Sequence, residues 1–300
     1  MRIFITGGSG FIGKLILQRL ASASHDLLLL SISEAESKLL SRYSRNIIIS
    51  DLKDIQKIKQ DIIDFGPDML IHLAWEGIPD FSYEMCKRNL DNSLQLINFM
   101  VKETKCKKII VSGSCHEYGK QIGTCKETDS ININSVMAWS KYSLYLYANH
   151  VCRNDAIELI WFRIFYAYGS GQRRESLIPM LFEALRKSEI PAIRNPLNAN
   201  DFIYNEDIAE AFHEAVNRPV PSGIYNLGSG SPTKVIDICE IIERRITGNG
   251  AITDTIRNRI NCEPEISFWA DTNKTSDVLR WKYRTSLEEG IAKYELSEDE

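Results

Sequence analysis

The chain lacks the residue patterns that build metal centres and disulfide frameworks. Its five histidines and seven cysteines (86, 106, 115, 125, 152, 239 and 262) include no CxxC pair and no histidine at companion spacing. An odd number of thiols so placed reads as reduced cysteines in a cytoplasm, and no metal is expected. Long apolar runs are also missing. Nothing approaches the ~18 residues of a membrane span, and the opening MRIFITGGSGFIG is too glycine-rich and too short in its apolar run for a signal peptide. There is no basic excess, since 36 lysines and arginines face 40 aspartates and glutamates. That balance argues against nucleic acid or an anionic membrane surface as a partner. Neither an internal repeat nor a low-complexity tract interrupts the sequence.

What is present suits a folded α/β protein, with 44% hydrophobic and 25% charged residues. Short apolar runs at 2–6, 27–31, 46–50, 69–73, 108–112 and 158–163 read as strands. Between them, 14–21, 55–65, 88–102 and 138–152 carry helix-length amphipathic patterns. Buried strands alternating with helices predict a Rossmann-type doubly wound parallel sheet, because each parallel crossover needs a helix over the sheet face. Beyond residue 170 the rhythm loosens, with six of the nine prolines falling between 179 and 232. Residues 1–170 are therefore expected to form a dinucleotide-binding domain and 171–300 a smaller substrate-binding domain. Part of 201–230, with a strand at 223–227, is expected to return to the first, and a helix is expected at 234–245. The acidic end, 295–300, reads as a frayed tail.

Gly7-Gly8-Ser9-Gly10-Phe11-Ile12-Gly13 follows the first strand and opens the first helix. In that position the spaced Gly7, Gly10 and Gly13 allow a tight turn, close approach of a pyrophosphate, and close helix–strand packing. The helix N-terminus then faces the anion, with Phe11 and Ile12 beside it. The second strand ends in Ser31-Ile32-Ser33-Glu34. Ser33 removes the repulsion that an aspartate would direct at a 2′-phosphate, while Glu34 could serve NAD by turning inward. NAD and NADP both remain open.

Several motifs together resemble the extended short-chain dehydrogenase/reductase (epimerase/dehydratase) family that acts on nucleotide sugars. TGGSGFIG is similar to its cofactor turn, Asp51-Leu52 to the pair beside the adenine, and His72-Leu73-Ala74 to the strand-four signature. Asn89 falls at a family asparagine. Residues 163–169 (RIFYAYG), 201–204 with Asp207, 225–228, and Asp271 with Leu279 and Trp281 resemble later family blocks. The resemblance implies a nicotinamide cofactor, a nucleotide-diphosphate sugar as partner, and a homodimer through the helices at 88–102 and 138–152, where Trp139, Leu146 and Tyr147 could face a partner. It also assigns roles. Lys141 matches the lysine that holds the nicotinamide ribose, and Ser114 matches the hydroxyl residue at the reacting oxygen. The tyrosine expected four residues before the lysine is Met137.

A thioether can neither give nor take a proton, so a substitute is expected, drawn from His116, Cys115 or Tyr166. His116 is favoured because its ordinary pKa lies near working pH. Tyr142 and Tyr145 read as packing or interface aromatics. Family dehydratases resemble one another in an Asp-Glu pair after the serine; here Cys115 and His116 stand there, which disfavours dehydration. The run from His72 to Pro79, with Trp75, resembles the branch holding 4-ketoreductases and 4-dehydrogenases. The expected reaction is one hydride transfer at C4 of a nucleotide-linked hexose or heptose. An epimerase and a non-catalytic scaffold are the alternatives. Trp75, Cys115, Tyr166, Arg173, Arg174 and Arg194 complete the candidate substrate set, the arginines as diphosphate partners.

Overall fold

Runs such as Leu27–Leu30, apolar on both pleat faces, can be satisfied only inside a sheet covered on both sides. The computed structural model, which describes residues 1–23, 25–119 and 122–298, places them there. Its strands are β1 (Arg2–Thr6), β2 (Asp26–Ser31), β3 (Asn46–Ile49), β4 (Met69–His72), β5 (Lys108–Ser114), β6 (Ile122–Cys125), β7 (Glu158–Ile164), β8 (Tyr166–Tyr168), β9 (Ala199–Tyr204), β10 (Gly223–Leu227), β11 (Pro232–Lys234) and β12 (Ser267–Ala270). The helices are α1 (Gly13–Ala21), α2 (Glu34–Leu40), α3 (Ile55–Phe65), α4 (Tyr83–Glu103), α5 (Val136–Asn154), α6 (Leu177–Arg186), α7 (Asn205–Asn217), α8 (Val235–Thr247), α9 (Ala251–Arg257), α10 (Asn273–Leu279) and α11 (Leu287–Glu298).

Seven strands form one parallel sheet in the order β10-β7-β5-β4-β1-β2-β3. The chain winds outward from β1 to β3, returns beside β1 as β4, and winds away in the other direction. That reversal between β1 and β4 is the switch point at whose carboxyl ends a crevice must open. Helices α1, α7 and α10 cover one face through a core that includes Ile16, Leu20, Ile208, Phe212 and Leu279. Helices α3, α4 and α5 cover the other, with Ile58, Ile62, Leu96, Met100, Leu144 and Ala148.

A second, smaller sheet runs β11-β9-β12-β6, with β8 paired to β9. The two sheets do not part at residue 170. Strand β6, from 122–125, joins the second sheet, whereas α7 and β10, from 205–227, complete the first. Asp201 ties the pieces together by accepting from the Ser229, Gly230 and Ala270 amides at 2.6, 3.0 and 3.0 Å. The acidic C-terminal segment is helical to Glu298, and Glu295 accepts from Arg245 at 2.7 Å; residues 299–300 lie outside the described residues. No helix among the described residues is long and apolar enough to cross a membrane.

Candidate active site

The crevice at the β1–β4 switch point is lined first by glycine. Gly7 has φ +76°, and a Cβ there would lie 2.6 Å from the Ala74 amide nitrogen. A Cβ on Gly13 would overlap the Gly7 carbonyl oxygen. Helix α1 starts at Gly13 with no side-chain cap; the Lys14, Leu15 and Ile16 amides turn back onto the Gly10 and Ile12 carbonyls, and the positive end of the helix points at the glycine turn, where an anion would sit. Trp75 adds a buried indole Nε1 with no partner among the described residues. A glycine cradle, a helix N-terminus without a side-chain cap and an orphaned donor fit a dinucleotide laid across the turn.

Two lobes meet at Gly7, Gly10, Leu73 and Trp75. The first, of about 270 Å³, is lined by Asp51, Leu52, Ala74, Asn89, Ile32 and Glu36 among others. Ser33 is not in its wall. Its hydroxyl caps α2 by accepting from the Glu36 amide at 3.2 Å, and Glu34 is exposed. Of the acids just past the second strand, the one that lines the lobe is Glu36, two residues further on. It accepts from the Ser9 hydroxyl at 2.9 Å and the Ile32 amide at 3.0 Å. The sequence signal for it was an acidic residue just past the second strand, but the choice between Glu34 and Glu36 depends on how α2 begins. Asn89 has its amide engaged, accepting from the Glu76 amide at 2.8 Å and donating to Glu76 and Met85 carbonyls at 3.0 Å. It fixes the turn that carries Trp75.

The second lobe, of about 350 Å³, brings together Phe11, Ile12, Gly13, Ser112, Ser114, Met137, Lys141 and Ile164, with Ile78 and Phe81 at its edge. Ser135 caps α5 by accepting from the Ala138 amide at 3.2 Å, and the helix then presents Met137 and Lys141 four residues apart on one face. Lys141 donates to the Ser112 carbonyl at 2.9 Å, and its Nζ lies 4.0 Å from the Trp75 ring centroid. Burial lowers its pKa to about 8 against the raising effect of Glu117 and Cys86. Ser114 accepts from the His116 amide at 3.2 Å, opening a short 3-10 helix, Cys115–Tyr118. Ile78 and Phe81 carried no recognisable signal, because their place depends on the loop that Asn89 holds.

Other expected site residues lie outside these lobes. Cys115 is buried against Tyr118, Cys125 and Phe165, and burial drives its thiol pKa well up. His116 turns its ring toward Tyr166 and Phe268, at centroid distances of 5.6 and 6.4 Å, and desolvation lowers its pKa. Burial raises the Tyr166 phenol above its usual range. Tyr145 packs edge-on against Trp161. Arg173, Arg174 and Arg194 are exposed and line neither lobe; Arg174 edges a separate groove beside α6 and α11.

Beneath Ser114 lies a residue that the motifs did not reveal. The Glu117 carboxylate, fully buried, accepts from the Ser114 amide at 2.8 Å, Trp161 Nε1 at 3.0 Å and Arg163 Nε at 2.9 Å. Arg163 also stacks over Tyr118 at 4.3 Å. The ion pair fixes the serine from below.

The model of the NAD dependent epimerase/dehydratase family matches residues 3–228. The dTDP-4-dehydro-6-deoxyglucose reductase of Escherichia coli is 27% identical over 307 residues, covering 97% of this chain and 95% of that protein. The dTDP-glucose 4,6-dehydratase of Escherichia coli is 22% identical over 340 residues, covering 98% and 92%. Among solved structures, UDP-glucose 4-epimerase of Thermotoga maritima with UDP-glucose superposes with a TM-score of 0.84 at 21% identity, over 100% of this chain and 99% of that one. UDP-glucuronic acid 4-epimerase from Bacillus cereus, in complex with UDP-glucuronic acid and NAD, gives 0.81 at 21% identity over the same shares, 100% and 99%. These structural likenesses establish the fold. The curated relatives include both a reductase and a dehydratase.

Proposed function

The chain belongs to the NAD dependent epimerase/dehydratase family, and we propose that within it the protein is an oxidoreductase moving one hydride between NAD and C4 of a nucleotide-linked hexose or heptose. The observation that carries this reading is the meeting of Ser114, Lys141 and Met137 in one lobe beside the glycine turn. Ser114 hydrogen-bonds the C4 oxygen, and Lys141 holds the nicotinamide ribose. NAD supplies the hydride acceptor, or its reduced form the donor. The pyrophosphate rests on Gly7, Gly10 and the N-terminal end of α1. Glu36 accepts from the adenosine ribose hydroxyls and would repel a 2′-phosphate, which favours NAD over NADP. Trp75 and Tyr166 stand on the substrate side.

Dehydration is disfavoured by the absence of a carboxylate from positions 115 and 116. A second reading, 4-epimerisation on one bound NAD, is favoured by the fold shared with two 4-epimerases. It needs proton transfer twice per turnover, so Met137 weighs against it more heavily. Absorbance at 340 nm, followed while the chain meets NAD or NADH and a panel of nucleotide hexoses, heptoses and their 4-keto forms, separates the two. Net change supports the oxidoreductase; inverted product without net change establishes the epimerase.

We further propose a homodimer through α4 and α5, where Leu146 is half exposed and Trp139 stacks on Tyr83 at 6.1 Å. Sedimentation at the mass of one chain would refute it. Seven cysteines, none in a disulfide among the described residues, support a reducing, cytoplasmic setting.

A further inference from the structure

Among the described side chains that line the hydride lobe, one is titratable. The walls are glycine, Phe11, Ile12, Leu73, Trp75, Ile78, Phe81, Met137 and Ile164, with two serines and Lys141. The stand-ins suggested by sequence order are directed elsewhere, His116 toward Tyr166 and Phe268, and Cys115 into the small apolar cluster. Met137 offers no proton. A hydride that reaches or leaves a carbonyl carbon here still needs a proton at the oxygen, and among the described residues of the lobe Lys141 is the titratable group able to exchange it.

We propose that Lys141 carries that proton, cycling between ammonium and amine, with Trp75 as its positioning residue. The inference rests on the hydride-transfer reading above. In the reducing direction the hydride of NADH adds to the carbonyl carbon and the C=O π pair moves onto oxygen. That oxygen takes a proton from Nζ, directly or through the Ser114 hydroxyl. Lys141 is left as the neutral amine and regains its proton from solvent. In the oxidising direction the amine accepts the hydroxyl proton as the hydride leaves for NAD.

The geometry suits the role. An ammonium has three N–H donors, and the Ser112 carbonyl engages one at 2.9 Å. The ring face of Trp75, 4.0 Å away, stabilises the cation without a carboxylate's power to lock it in the charged form. The groups that act on it from neighbouring elements are Glu117 of the 3-10 helix, Cys86 of α4 and His72 of β4. Both carboxylate oxygens of Glu117 are engaged by Trp161 and Arg163. Desolvation outweighs the raising groups and lowers the Lys141 pKa to about 8, close to working pH, where an acid–base group is most effective.

The test pairs a fluorescence titration with kinetics. In the purified chain, the emission component lost in Trp75→Phe should titrate with a midpoint near pH 8, and Lys141→Arg, charged throughout, should abolish that transition. The same arginine variant should still bind NAD, yet turn over a nucleotide sugar ~10²–10⁴-fold more slowly, with the limb of the wild-type pH profile near 8 missing. A Trp75 signal flat from pH 6 to 10, or turnover by Lys141→Arg within threefold of wild type, would overturn the assignment. A wild type that shows the fluorescence transition and binds NAD but moves no hydride to or from any nucleotide sugar would overturn the functional reading, and the proton assignment with it.

Discussion

His72, at the end of β4, sits between the Thr6 and Ser93 hydroxyls at 2.7 and 2.9 Å. Burial, reinforced by the Lys141 charge, lowers its pKa from 6.5 to about 3. The unfolded chain therefore takes up a proton below pH 6.5 that the folded chain refuses until about 3. Stability is unaffected by this group above that window and falls as pH drops through it, by up to about 1.4 kcal/mol per pH unit. Urea unfolding between pH 7 and 4 should show a shallower loss in His72→Gln than in wild type; identical slopes would contradict the burial argument. Glu36 is the other residue with a sharp consequence. In Glu36→Gln the ratio of NADP to NAD affinity should rise about tenfold, or ~1.4 kcal/mol, measured by cofactor titration. At this scale the glycine turn and the meeting of Ser114, Met137 and Lys141 were legible, because each is set by spacing along one element or at one strand end. The direction of the His116 ring and the exchange of Ser33 for Glu36 were not. They depend on a turn and a cap, where one residue of shift re-aims every side chain.

At the scale of elements, the buried Glu117–Arg163 pair joins the 3-10 helix after β5 to the C-terminal end of β7. Breaking such a pair by removing one partner leaves an uncompensated buried charge, at a cost of about 3–5 kcal/mol. Arg163→Met should lower the denaturation midpoint accordingly with an unchanged denaturant slope, and should loosen Ser114. A midpoint within experimental error of wild type would show that the pair supports nothing. The strands of the large sheet were readable from their apolar runs, and α4 and α5 from their amphipathic length. Short elements were not: α2, β6, β8 and β11 span three to seven residues, too few for a period to declare itself.

Across the whole molecule, alternation of strand and helix made the doubly wound class legible, whereas the sharing of chain between the sheets was not. Strand β6 pairs with β12, more than a hundred residues away, and only tertiary contact creates that partnership. Because α7 and β10 complete the large sheet, residues 1–170 alone should expose the apolar faces of α1 and β7 that those elements cover. Expressed by itself, that fragment should be aggregated or bind a hydrophobic dye; a monomeric fragment with cooperative unfolding would contradict the interleaved architecture.

The central claim, hydride transfer at a nucleotide sugar in this crevice, is met most directly by following deuterium. NADH deuterated at C4 of the nicotinamide, on one face and then the other, would be incubated with the chain and a panel of 4-keto nucleotide sugars, and the sugars weighed by mass spectrometry. The account predicts a sugar one mass unit heavier with one of the two labelled cofactors, and loss of that product in Lys141→Arg. NADH that binds yet leaves every sugar unlabelled from either face would contradict it.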